Sequence, residues 1–150
     1  MDTSAVPASA VPAVKAALIT LLRAQYSAAS VQVFYGPPTG TPVTDDAVAV
    51  IGADPADQEA IPMGTRAREE RFSMVVVCSS YRGGGDEVAQ ATTEAAYALL
   101  AVVEGVLRTD PSVSGTCRKA ELGRHVLTEE PTDVGRVAEI AAVVDVLARI

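Results

Sequence analysis

The chain has 150 residues, a net charge of -7 and 49% hydrophobic residues. That length allows one domain with a core of its own, while no apolar run approaches the roughly 18 to 20 residues of a membrane span. The acidic balance disfavours tight binding to DNA phosphates or anionic membranes, because such binding depends on Lys and Arg. Composition therefore predicts a protein without a membrane partner and without a surface that binds DNA tightly.

Residues 1–10 are small and contain prolines, so they are predicted to form a loose segment ahead of a single α+β domain at 11–150. Asp2 stands where a signal peptide carries positive charge, which argues against an export signal. Cys78 and Cys117 are too few for a disulfide framework. We expect free thiols in a reducing cytoplasm.

The first half of the chain predicts a helix, two strands and two loops. Pro12 suits the first turn of a helix, and apolar residues then recur at helical spacing. Gly and Pro interrupt the chain after the first strand, and no periodicity is visible after the second. The long second loop is either an interaction arm or a disordered excursion. The predicted ranges are a helix at 11–27, strands at 31–35 and 47–51, and loops at 36–46 and 53–68.

The stretch from Glu69 to Arg108 predicts a strand, a glycine turn and a long amphipathic helix. Three consecutive valines, at 75–77, favour a strand. Gly83–Gly85 could cradle a phosphate at the helix start, but they match no nucleotide-binding motif. Asp86 follows directly and is predicted to be the helix N-cap.

The C-terminal third predicts a polar region with one or two short strands at 112–131 and a closing strand at 135–150. The closing segment fits both a helical and an alternating pattern. Alternation is preferred because every even-numbered residue from 138 to 150 is apolar, whereas the odd-numbered ones include the charged residues.

No catalytic, cofactor-binding or metal-binding site is predicted. His125 is the only histidine and has no zinc-ligand spacing around it, so a surface or interface position is expected. Glu69–Glu70 and Glu129–Glu130 are adjacent pairs that would point to opposite faces of a strand.

A group of charged residues is the candidate interface. These residues could join subunits through charge-assisted hydrogen bonds, or they could form an exposed mixed-charge loop. The group consists of Arg66, Arg68, Glu69, Glu70 and Arg71.

The order of elements, with the strand and turn written RFSMVVVCSSYRGGGDE and the ending DVLARI, resembles the tail terminator proteins of long-tailed bacteriophages, particularly of actinobacterial phages. The resemblance covers nearly all of the chain after residue 10. It implies an α+β fold in which an antiparallel sheet carries two helices on one face of a ring-forming subunit.

The family resemblance also implies a structural role without enzymatic activity or cofactors. A homohexameric ring would cap the head-proximal end of the tail tube, end its polymerisation and join the tail to the head-tail connector protein. DNA would pass through the lumen without specific binding. The protein would reside in the virion, after assembly in the host cytoplasm. The alternatives are another neck or head-completion connector subunit, or a small-ligand or nucleotide-binding domain that uses Gly83–Gly85.

Overall fold

The computed structural model describes residues 8–38, 44–60 and 67–150. Within these ranges, residues 55–60 are described by their backbone alone. Two α-helices and five strands confirm the predicted α+β class. In chain order they are α1 (Val11–Gln25), β1 (Val31–Tyr35), β2 (Asp46–Ala60), β3 (Arg68–Gly83), α2 (Ala89–Thr109), β4 (Lys119–Pro131) and β5 (Gly135–Arg149). Neither helix in these ranges has the length and apolar character to cross a membrane.

The five strands form one sheet in the order β1-β2-β3-β5-β4. Neighbouring strands are antiparallel except β1 and β2, which run parallel. The sheet is therefore mixed rather than wholly antiparallel. Its three longest pairings, β2 with β3, β3 with β5 and β5 with β4, supply most of the backbone hydrogen bonds that fix the register.

Both helices pack on one face of the sheet and enclose an aliphatic core. The even-numbered residues of β3 and β5 point into this core, where Val76, Ile140 and Val144 are completely buried. The odd-numbered residues of the same strands face away from the helices, and Val75 and Val143 there are half-buried. This alternation confirms the prediction that the closing segment is a strand.

Strand β2 is longer than predicted, and the prediction of a loop at 53–68 is wrong for residues 53–60. The strand runs on to Ala60, and β3 already begins at Arg68. Two register shifts, one between Ile51 and Asp54 and one between Pro55 and Gln58, interrupt the ladder. Such bulges disturb the period-two pattern, so the sequence alone did not show a strand. Residues 61–66 of the predicted loop lie outside the described residues.

The glycine turn leads into α2 through one 3₁₀ turn, Asp86–Val88, and α2 begins at Ala89. The predicted N-cap at Asp86 is wrong, because neither helical segment has a side-chain cap and the Asp86 side chain is fully exposed. The Gly85 N–H donates instead to Glu87 Oε1 at 3.0 Å. The carboxylate that satisfies the turn is thus one residue further along the chain.

Candidate functional site

Cations from three strands meet at one end of the sheet. Arg71 of β3, Leu147 of β5 and Lys119 of β4 occupy one cross-strand row. More than half of the Arg71, Arg118 and Lys119 side chains is exposed. We call this surface the basic end and define it as Arg68, Arg71, Arg118, Lys119 and Arg149.

Three carboxylates, Glu69, Glu121 and Asp145, lie among these cations. Glu69 pairs with Arg71 at 3.3 Å and with Arg118 at 3.7 Å, while Glu121 lies 3.3 Å from Lys119. These ion pairs are exposed and contribute little to stability. With three described carboxylates against five cations, the surface on β3, β4 and β5 keeps an excess of positive charge.

The predicted interface residues divide into two environments. Arg68, Glu69 and Arg71 lie at the basic end, on a regular strand rather than in a loop. Glu70 points to the other face and is only 5% exposed. Its Oε1 accepts a hydrogen bond of 2.8 Å from the Ala10 N–H at the start of α1. Contact of these residues with a neighbouring subunit stays a prediction, and Arg66 lies outside the described residues.

Sequence reasoning missed Arg118, Lys119 and Arg149. They lie far along the chain from Arg71 and carry no motif. Only the pairing of β3 with β5 and of β5 with β4 brings them together. The one local signal is the Arg-Lys pair that precedes a weakly alternating segment. This pair does not indicate which other residues it would lie near in the fold.

Carboxylates crowd the opposite end of the sheet. The Gly84 N–H donates to the Val134 carbonyl at 3.0 Å, which joins the glycine turn to the turn between β4 and β5. Arg136 approaches one of the carboxylates, Asp86, at 3.9 Å. We call this surface the acidic end and define it by five exposed residues, Asp86, Glu87, Glu129, Glu130 and Asp133.

The glycine turn offers no open phosphate cradle. The N–H groups of Gly84 and Gly85 already donate to the Val134 carbonyl and to Glu87. A hydrogen bond from the Gly85 N–H also lowers the pKa of Glu87, which favours its anionic form. An incoming phosphate would have to displace this carboxylate and would meet the other charges of the acidic end.

A partly buried polar network lies beside the acidic end, where β2 starts and β3 finishes. Arg82 donates to both oxygens of Asp46, at 2.7 and 3.1 Å, and Ser80 Oγ donates to Asp46 Oδ1 at 2.7 Å. Burial alone would raise the pKa of Asp46, but the hydrogen bonds from Arg82 and Ser80 and the Arg82 charge lower it below its ordinary value.

The two thiols and the histidine do not form a reactive group. Cys78 and Cys117 are free and buried. Burial raises the pKa of Cys78 to about 12, and burial together with the Asp110 charge raises that of Cys117 to about 11. Both are therefore protonated at neutral pH. His125 is exposed, and its Nε2 lies 3.0 Å from the Tyr97 hydroxyl. In the described part of the chain, no three His, Cys, Asp or Glu side chains cluster as metal ligands would.

No protein-family model matches the sequence, and no curated protein matches it. Among solved structures, the fold is similar to that of a chain in the virion of a native gene transfer agent particle, with a TM-score of 0.54 and 18% identity. The match covers 95% of this chain and 100% of the other chain. At this identity the similarity shows a shared fold.

Proposed function

We propose that this chain is a structural subunit of a phage-like virion. The observation that carries the proposal is the match to a chain of a gene transfer agent virion over the full length of that chain. The likeness extends over almost all of this chain and all of the other. The buried thiols and the occupied glycine turn support a structural role more than a catalytic one.

Within the virion, we assign the chain to the tail terminator role. Its copies form a hexameric ring on the head-proximal end of the tail tube, stop tube polymerisation and join the tail to the head-tail connector. The support is the resemblance in layout stated above, which runs from α1 through the RGGGDE turn to the closing strand. The two oppositely charged ends of the sheet also provide surfaces for contacts between subunits.

Tail-tube length tests this assignment. Tube subunits polymerise in the presence of increasing amounts of the folded chain, and tube lengths are measured by electron microscopy. We expect shorter tubes with the chain bound at one end, because a terminator blocks further addition there. The control is the same amount of heat-unfolded chain, which should leave the length distribution unchanged.

Two results would count against the terminator role. Unchanged tube length at saturating folded chain would contradict it directly. Binding to the connector or portal side, without any effect on tubes, would instead assign the chain to another neck or head-completion position, which the same fold likeness also allows.

A further inference from the structure

We propose that copies of this chain bind one another head to tail, with the basic end of one copy against the acidic end of the next. The contact rests on the proposed ring-forming role and names the surfaces that would build the ring. The basic end comes from described residues of β3, β4 and β5, and the acidic end from those of β4, the β4–β5 turn and the 3₁₀ turn before α2.

The hairpin of β4 and β5 carries the charge asymmetry along its length. Lys119 and Arg149 lie at its open end, whereas Glu130 and Asp133 lie at its turn. The 14 steps from Gly135 to Arg149 span about 45 Å at the usual rise of a strand. This distance exceeds the Debye length of about 8 Å at physiological salt. The two ends therefore cannot neutralise each other within one copy.

Each end concentrates charge of one sign. At the acidic end, five exposed carboxylates lie near two described cations, Arg136 and Arg82, and Arg82 is already paired with Asp46. Like charges at the same end of the sheet repel one another, and an opposite surface relieves that repulsion. A second copy supplies such a surface for both ends at once, so every contact in a ring would match positive with negative charge.

The contact joins two different patches, so it is heterologous. A heterologous contact closes into a ring when the rotation between copies divides a full turn, and otherwise continues as a filament. This geometry agrees with a ring subunit. DNA is the alternative occupant of the basic end, and the charge-reversal experiment distinguishes it from a second copy.

Two charge-reversal variants test the contact. The basic-end variant carries Arg71→Glu, Lys119→Glu and Arg149→Glu, and the acidic-end variant carries Asp86→Lys, Glu130→Lys and Asp133→Lys. All six side chains are exposed, so both variants should fold, as circular dichroism and the urea midpoint will show. Arg108→Glu is the control, because this exposed residue of α2 belongs to neither end.

Association is measured by sedimentation velocity over a range of concentrations. We expect the wild type and Arg108→Glu to assemble. Each triple variant alone should need at least about tenfold higher concentration, since its two ends then carry the same sign. Mixing the two variants in equal amounts should restore assembly, because each normal end meets a normal partner and each reversed end meets a reversed one.

Several results would overturn the head-to-tail contact: a wild type that stays monomeric, triple variants that assemble like the wild type, or a mixture that does not recover. Loss of binding to duplex DNA in the basic-end variant, with unchanged self-association, would also overturn it and mark a nucleic-acid surface. The tube-length experiment decides the proposed function separately, because it records capping whichever residues join the copies.

Discussion

At the scale of single residues, the Asp46–Arg82 pair shows how one partly buried ion pair joins two strand ends. Asp46 begins β2 and Arg82 lies near the end of β3, in a two-pronged contact that Ser80 completes. Planar guanidinium groups suit such bidentate geometry, and hydrogen bonds to charged groups are stronger than neutral ones. The pair therefore stabilises the sheet beside the acidic end.

Replacing the carboxylate should destabilise the chain in a pH-dependent way. Asp46→Asn should lower the free energy of unfolding by about 1 to 2 kcal/mol at pH 7. Because the pKa of Asp46 is lowered in the folded state, its contribution is complete above the unfolded pKa of about 4 and is lost as the pH falls through the folded value.

Urea unfolding of the wild type and the variant at pH 7 and pH 3 measures this effect. We expect the free energy of unfolding of the wild type to exceed that of Asp46→Asn clearly at pH 7, and this difference to become smaller at pH 3. Asp45→Asn is the matched control, because Asp45 is adjacent and exposed and does not hydrogen-bond to Arg82. A difference that stayed constant with pH, or an equal effect of Asp45→Asn, would contradict the role of the ion pair.

At the scale of elements, the close approach of the β4–β5 turn to the end of β3 depends on a glycine. Gly135 pairs with Gly83 across the sheet and is buried. A β-carbon at position 135 would lie 2.4 Å from the Arg82 carbonyl oxygen and 2.7 Å from the Tyr81 ring. The Arg82 backbone and the Tyr81 ring could make room for this carbon only if the strands separated. The β4–β5 turn and the end of β3 are therefore packed as one unit.

Gly135→Ala should therefore cost about 2 to 3 kcal/mol of stability, as overpacking in a tight site does. Gly105→Ala is the matched control, because Gly105 is an exposed position of α2 with open space around its added β-carbon. That change should stabilise the helix by about 0.5 to 1 kcal/mol. Thermal and urea unfolding measure both, and a Gly135→Ala variant as stable as the wild type would refute the tight packing.

At the scale of the whole molecule, the net charge of -7 does not show that the sheet has two ends of opposite charge. The acidic end lies at the start of α2 and at the β4–β5 turn, and the basic end lies where β5 finishes. Net charge alone would predict mutual repulsion between copies. The arrangement of the charges allows attraction in one orientation. Electrostatic complementarity thus determines the relative orientation of two copies more than the strength of their binding.

Salt should weaken association between copies. Raising sodium chloride from 0.05 to 1 M shortens the Debye length from above 10 Å to about 3 Å and screens the contact between the ends. Sedimentation velocity should then show smaller assemblies. Assembly that persisted or strengthened in 1 M salt would indicate an apolar contact instead, and the half-buried outer face of β3 and β5 would become the surface to test.

Much of the fold could be predicted because its signals are local. The strand Val31–Tyr35 and the closing strand are confirmed, the latter because its alternation is written in consecutive side chains. Strand β2 was missed beyond Gly52, which has a φ of +63° and lies at a register shift, since a bulge breaks the alternation that identifies a strand.

The sequence by itself determined an acidic chain with an aliphatic core and the strand-turn-helix unit from β3 to α2. It also determined the alternation of core-facing and outward-facing residues along β5. Only the tertiary structure decided that Arg118 and Lys119 lie beside Arg71, and that Glu70 holds the start of α1. The reason is physical. Periodicity and propensity act between near neighbours in the chain, whereas strand register and helix docking join residues many positions apart.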